Sequence, residues 1–346
     1  MRNENEGMRN ACWCSVKRSL CSFSFLHSFI YIPFISFIPF ISHFEVQAQS
    51  LTLVELNCEN LFDCRHDSLK QDDEWLPTAV RSWTPDRYWR KVNNIGQVIL
   101  SCSEQSLPDL VALVEVENDS VLRDLTRRSL LRNAGYEYLM TSSPDLRGID
   151  VALLYQPLSF RPICYDYLDI TPLDDMRPTR DILYVQGETV NRDTLHVFVV
   201  HAPSRFGGEK ATRPNRRIVM ERLVAAIQQL PPSAKVIVAG DFNDYADSHS
   251  LQFLEQHGLY NVTREAKGSH GALGTYRYEG RWQSIDHVLV SSVLCNSVAQ
   301  AYINDAPFLL EEDKKYGGVK PLRTYNGYRY QRGFSDHLPL VVRIRF

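Results

Sequence analysis

Seven short runs rich in Val, Ile and Leu set the tightest limit on what this chain can fold into. They lie at 51–56 (LTLVEL), 110–116 (LVALVEV), 151–155 (VALLY), 195–200 (LHVFVV), 236–239 (VIVA), 285–290 (IDHVLV) and 340–346 (LVVRIRF). Several are continuous rather than alternating, which suits strands buried on both faces by covering helices. Helical patterns fall between them. Thr84-Pro85 reads as a cap followed by Pro at the first helical position, and Tyr88, Val92, Ile95 and Ile99 keep one apolar stripe. The spacing predicts further helices over 121–133, closed by Gly135, and over 215–230, stopped by Pro231-Pro232. Strands and helices in this order predict an α/β domain of layered mixed sheets. No internal repeat and no Pro/Gly/Ser linker divides 49–346, which reads as one domain.

The N-terminal 48 residues do not belong to that pattern. From Phe23 to Phe44 there is no Asp, Glu, Lys or Arg; Lys17 and Arg18 precede the run and Val46-Gln47-Ala48 follow it. A basic flank, an apolar core and small residues two apart predict a secretory signal over 1–48, cut after Ala48, and hence a secreted or periplasmic domain over 49–346. The alternative is an uncleaved membrane anchor, kinked by Pro33 and Pro39. Cys58, Cys64, Cys102, Cys164 and Cys295 remain beyond it, with no CxxC pair to suggest zinc. Buried free thiols are the expectation, with a Cys58–Cys64 bridge as the alternative. A net charge of -3 gives no global field for a polyanion, so any basic surface must be local.

Polar residues cluster at the ends of the apolar runs. Asn57 closes the first, Glu115 lies inside the second, and His201 follows the fourth. Asp241 and Asn243 follow VIVAG, Asp286 sits in SIDHVLV, and Asp336-His337 precedes the last run. Each alone has an ordinary explanation: a satisfied buried carboxylate, a core histidine, a turn cap. Their joint placement at strand ends, where layered α/β folds build their sites, points to one convergent pocket.

The blocks 56–63 (LNCENLFD), 108–118 (PDLVALVEVEN), 148–151 (GIDV), 201–205 (HAPSR), 240–244 (GDFND), 285–287 (IDH) and 335–339 (SDHLP) carry a resemblance. In this order they are similar to the endonuclease/exonuclease/phosphatase superfamily, and the opening block resembles its exported bacterial branch. The resemblance spans essentially all of 51–346 and implies the deoxyribonuclease I-like fold, a four-layer α/β sandwich of two mixed β-sheets flanked by helices. It also implies roles. Glu115 would bind a divalent cation, with Asn57 beside it and Asp336 completing the shell. Asp241 and Asn243 would position the attacking water and a phosphate oxygen. Asp286 would hold His337, and His201 would face the phosphate from the other side. Either Arg147 or Asp150 would supply a polar contact near the phosphate.

The elementary chemistry agrees. Phosphodiester hydrolysis needs charge neutralised on phosphate oxygens and an in-line water deprotonated. Carboxylate and amide oxygens suit Mg²⁺, with Mn²⁺ or Ca²⁺ as alternatives. The proton acceptor is His337 or Asp241. The expected activity is an exported, metal-dependent endonuclease or phosphodiesterase acting on DNA or RNA, with no stable protein partner and a membrane contact only through an uncleaved N-terminus. A phospholipid or inositol-phosphate hydrolase is the alternative, and an inactive binding module the third reading. For the substrate contact, the stretch 314–332 holds Lys314, Lys315, Lys320, Arg323, Arg329 and Arg332 with no acidic residue, interleaved with four tyrosines. Cations that track phosphates and rings that stack on bases predict a polynucleotide-binding loop. A second cluster, Arg205, Lys210, Arg213, Arg216 and Arg217, is expected to form the opposite wall.

Overall fold

The computed structural model describes residues 50–103, 106–174 and 176–346; the expected signal segment lies outside them. Two six-stranded sheets form the centre. The first runs β13 (Val298–Ile303), β18 (Leu340–Arg345), β1 (Ser50–Leu61), β2 (Leu110–Val116), β4 (Asp150–Tyr155) and β3 (Glu137–Met140). The second runs β5 (Phe160–Leu168), β6 (Ile182–Thr189), β7 (Thr194–His201), β8 (Lys235–Asp241), β12 (Asp286–Ser291) and β9 (Leu259–Asn261). Each sheet has one parallel pair, β1–β2 and β7–β8, among antiparallel neighbours. Three small hairpins complete the chain: β10–β11 (Tyr276–Tyr278, Arg281–Gln283), β14–β15 (Leu310–Glu312, Val319–Pro321) and β16–β17 (Tyr325–Asn326, Arg329–Tyr330).

The side-chain period of two explains why both faces of each sheet are apolar. In β1, Val54, Leu56 and Cys58 face the helices α1 (Pro85–Ser101) and α2 (Asp119–Arg127). Leu51 and Leu53 face the other sheet instead, meeting Val197, Val199, Ile237, Ala239 and Val288. The outer face of the second sheet, through Phe198, Val200 and Val238, packs on α3 (Glu209–Ile227) and α4 (His249–Gln256). The four layers are helix, sheet, sheet and helix. Emptying such a packed centre is costly: Leu→Ala at sites of this kind takes about 2–5 kcal/mol.

Local departures from the expected elements have physical causes. α2 ends at Arg127 rather than near 133, and Ser129 then caps the turn, its hydroxyl donating to the Leu125 carbonyl and accepting from the Leu131 amide. α3 starts at Glu209, six residues before the expected start, and accommodates Pro214 inside. Cys58, Cys64, Cys102 and Cys295 are free thiols, so the alternative Cys58–Cys64 bridge does not form. Among the described residues no helix is long and apolar enough to cross a membrane.

Candidate active site

Both parallel pairs end at the same edge of the sandwich, and there the apolar strands turn polar. In the second sheet the register sets His201 beside Asp241 and Asp241 beside Asp286, so three functional side chains stand on adjacent strands. The close approach of β7 and β8 requires Gly240: its φ is 150°, and a Cβ there would lie 1.8 Å from the Val200 carbonyl oxygen. In the first sheet, pairing slips between Asn57 and Leu61 on β1 and between Val114 and Val116 on β2. Glu115 sits in that irregularity with φ 61°, and Glu59 and Asn60 share the left-handed region at 50° and 58°. A bulge of this kind re-aims a side chain, and here it turns Glu115 into a cleft of about 1110 Å³.

Each polar group on the cleft floor has a defined partner. The Asn57 amide donates to Asp241 at 3.1 Å and its oxygen accepts the Glu59 N–H at 2.9 Å. Asp241 also accepts the Asn243 N–H at 2.7 Å, and the Asn243 side chain donates to the Ala202 carbonyl at 3.1 Å. Glu115 accepts the Asn60 N–H at 2.9 Å, and its other oxygen lies 3.5 Å from Arg147 and 3.9 Å from His201 Nε2. Behind His337, Asp286 takes the ring Nδ1 at 2.8 and 3.0 Å and also accepts the Thr275 hydroxyl. His337 is fixed from its other sides by the Tyr276 ring, centroids 4.9 Å apart, and by Ser335, which bonds the Asn57 carbonyl.

Burial and neighbouring charge split the two histidines. Burial alone would lower His337, but the charge and hydrogen bond of Asp286, with Asp336 and Asp241 behind it, outweigh that and hold its imidazole well above the usual range. His201 is driven well below it by burial, then by the cations Arg180 and Arg147. One ring is therefore charged and the other neutral. Asp241 is pushed up to about 7, first by burial and then by the nearby Asp286, with His337 opposing.

Of the residues expected at the site, Asn57, Glu115, Arg147, His201, Arg205, Asp241, Asn243, Arg323, Asp336 and His337 line the cleft. Asp286 supports it from behind. Asp150 does not line it: its carboxylate accepts from the Thr141 and Ser143 hydroxyls at 2.6 and 2.5 Å, leaving Arg147 as the cleft's member of that block. Lys320 is also outside the lining, paired with Glu311 at 3.4 Å across β14–β15, and Arg329 is exposed on the β16–β17 hairpin. The tyrosines between them are engaged. Tyr325 packs on Trp75 and Trp83, Arg81 lies over the Trp75, Tyr325 and Tyr328 rings, and Arg87 lies over Tyr330. Of the second basic cluster, Arg205 reaches the cleft; Arg216 is buried against Asp244 at 3.1 Å, and Arg213 and Arg217 pair with Glu209 and Glu221.

Three charged groups in or beneath the cleft escaped the sequence reading. Arg180 is buried in the cleft wall, donating to Asp145 at 3.1 Å and to the Ala202 carbonyl at 2.8 Å. Glu59 collects the Thr324 N–H at 2.6 Å and the Arg323 guanidinium at 3.3 Å, and Arg323 also holds Asp336 at 2.7 Å. Glu55, two residues before Asn57, is fully buried with neither oxygen bonded, and burial keeps its carboxyl protonated well above the usual range. An acidic residue on the inward parity of a buried strand was the available signal for Glu55. Arg180 and Glu59 had none.

The donor chemistry fits a hard divalent cation. Asn57, Glu115 and Asp336 offer amide and carboxylate oxygens with no thiolate among them. The atoms of Asp241, Asp286 and His337 also lie within 4.8 Å of one another, but His337 there is bonded to Asp286 and held protonated, which disfavours it as a ligand.

A family model described as Endonuclease/Exonuclease/phosphatase family matches residues 52–345. No curated protein matches by sequence. Among solved structures, an endonuclease/exonuclease/phosphatase family protein from Bacteroides thetaiotaomicron is similar at TM-score 0.57 and 18% identity, over 87% of this chain and 99% of that one. A mannosyl-6-phosphatase from the same organism gives 0.58 and 18% over 86% and 100%. TDP2 from D. rerio, complexed with single-strand DNA product, gives 0.51 and 15% over 86% and 99%. These likenesses show the fold.

Proposed function

Since the chain belongs to the endonuclease/exonuclease/phosphatase family, and is thus built as a phosphoesterase, we propose that it is an exported, divalent-metal-dependent phosphodiesterase whose substrate is nucleic acid. The observation that carries the reading is the convergence, in one cleft, of the Asn57, Glu115, Asp241 and Asp336 oxygens with the Asp286-held His337, and burial pushes the Asp241 carboxyl up towards neutrality. A group near neutrality can take a proton from water and return it. A histidine held cationic cannot accept one, so it donates a hydrogen bond to the phosphate or to the departing oxygen. Asn57, Glu115 and Asp336 would hold the cation, Mg²⁺ being the simplest fit, which would neutralise charge on the phosphate. Neutral His201 and the Arg147 guanidinium face the same space and can donate to non-bridging oxygens. Export rests on the charge-free run before Val46.

A phosphomonoesterase acting on a hydroxylated alcohol is the second reading. It is favoured by a cleft wall of Gln71, Asp73 and Glu74, whose oxygens accept hydroxyls better than phosphates. The test is incubation with plasmid DNA, RNA, sphingomyelin, inositol phosphates and mannose 6-phosphate, with Mg²⁺ and then with a chelator. Nucleic acid should be cut only with metal, and Glu115→Ala, Asp241→Ala and His337→Ala should each lower turnover by about a hundredfold or more while remaining folded. Phosphate release from the sugar or inositol phosphates alone would favour the second reading. Near-normal turnover in all three variants would remove the site.

A further inference from the structure

The mouth of the cleft displays an aromatic ring that nothing in the fold uses. Phe206 is 93% exposed, the most exposed large hydrophobic side chain among the described residues, five positions after His201. Such exposure forgoes the gain of burial, and an isolated phenyl ring at a site mouth is well placed to recover it from a ligand. Its loop is anchored at the residue before the ring. Arg205 donates to Gln283 at 2.7 Å and stacks on Tyr245 at 4.4 Å. Gly207 and Gly208 follow with φ of 91° and 114°, and a Cβ at either would meet only open space. The glycines thus serve the backbone path that holds Phe206 outward, not any packing.

The same cleft is lined by a second exposed ring. Tyr278, 55% exposed, ends β10 and lines the same cleft. Two positions earlier on that strand, Tyr276 bridges to His337, and across the hairpin it pairs with Gln283, the residue that Arg205 grips. One continuous run of contacts therefore links Arg205, the neighbour of Phe206, with the hairpin and the proposed phosphate-binding histidine.

We propose that Phe206 and Tyr278 form a stacking platform for a flat aromatic ring, a nucleobase, carried next to the phosphate at His337. The inference rests on the phosphoesterase reading and names the part of the substrate outside the reacting bond. Aromatic side chains stack on any base, and Arg205 beside the platform offers a cation to an adjoining phosphate. A lipid surface fits less well: the exposed Glu279 and Arg281 follow Tyr278 closely, whereas a segment that enters hydrocarbon is apolar along its buried face.

The test compares two probes that share a sugar phosphate and differ by the base. Binding of adenosine 5′-monophosphate and of ribose 5-phosphate to the full chain is measured by titration calorimetry in Mg²⁺, with hydrolysis of a chromogenic phosphodiester followed separately. The wild type should prefer the nucleotide by about tenfold or more. Phe206→Ala and Tyr278→Ala should each cut that preference to within about threefold, Phe206→Tyr should keep it, and ribose 5-phosphate should bind all four proteins alike. Equal binding of both probes by the wild type, an intact preference in Phe206→Ala, or parallel loss of both probes would overturn the platform. So would wild-type binding to phosphatidylserine vesicles that Phe206→Ala abolishes, without a nucleotide preference. A persistent base preference in a protein that hydrolyses no phosphoester would support the platform and defeat the phosphoesterase reading.

Discussion

Replacing Asp286 by Asn tests the centre of the site with little change in shape. The Asn oxygen can still accept the His337 Nδ1–H in place of the Asp286 oxygen at 3.0 Å, and its amide, standing where the oxygen at 2.8 Å was, can donate to the Thr275 hydroxyl, so the ring keeps one neutral acceptor. What disappears is the charge that sustains the imidazolium. A charge-assisted hydrogen bond contributes about 1.5–3 kcal/mol net. Unscreened attraction at about 4 Å in a medium of effective dielectric near 20 gives about 4 kcal/mol as an upper bound. Turnover on a small chromogenic phosphodiester should therefore fall by about ten- to a thousandfold. The Michaelis constant should stay within about twofold, because Asp286 lies behind His337 and outside the cleft lining, and loss of a group acting on the reacting state leaves substrate affinity largely intact. Asp286 raises the His337 value, so the cationic ring persists well above the ordinary histidine range and is lost as pH rises through the folded value. In the variant that loss should begin at lower pH, moving the alkaline limb of the turnover profile downwards. A raised Michaelis constant with unchanged turnover, or an unmoved alkaline limb, would refute the assigned role.

Arg323 and its neighbours should separate by their partners. Arg323→Ser should depress turnover on a small phosphodiester and on nucleic acid alike, since Asp336 and Glu59 lose their shared cation, while Lys320→Ser, whose ammonium already pairs with Glu311, should leave both rates and the salt dependence of binding unchanged. A salt slope that flattens in Lys320→Ser, or in Arg329→Ser, whose side chain is exposed, would support nucleic-acid binding by the stretch 314–332. Remote from the site, His196 is lowered by burial to about 4, so the folded protein keeps it neutral while the unfolded chain binds a proton below its ordinary value near 6.5. Its contribution is complete above about pH 6.5 and is lost as pH falls towards 4, by about 3 kcal/mol at most. Urea unfolding at pH 7 and pH 5 should show a shallower acid loss in His196→Gln than in the wild type, and equal losses would count against it.

The strands legible in the sequence were those buried on both faces. All seven apolar runs appear as strands: β1, β2, β4, β7, β8, β12 and β18. The missed ones stand mainly at or near sheet edges, where solvent admits polar residues and the apolar signal weakens. β5 reads FRPICYDYL, with a pairing irregularity between Pro162 and Cys164, and edge strand β13 reads VAQAYI. β6 was also missed, its sequence ending in QGET although most of it is buried.

Site residues followed the same division. Asn57, Glu115, His201, Asp241 and Asp286 stood out because each interrupts or ends a run that is otherwise apolar, and polarity there needs a reason. Arg180 lies outside any such run, and its meaning depends on Asp145, 35 positions away; Glu59 depends on Thr324, 265 positions away. Charge patterning along the chain misjudges two of the cations for the same reason. Counted alone, the cations of 314–332 look like a surface waiting for phosphate. In the fold, Arg323 is committed to Asp336 and Glu59, Lys320 to Glu311, and Tyr325, Tyr328 and Tyr330 to Trp75, Arg81 and Arg87, while Lys314, Lys315, Arg329 and Arg332 stay exposed. A paired charge contributes little to a long-range field. The free ring at the mouth, Phe206, gave no signal among the sixteen phenylalanines of the sequence, because exposure is a property of closure rather than of residue type. Prediction of substrate in such a chain therefore turns on which polar and aromatic groups remain uncommitted once the sheets have closed.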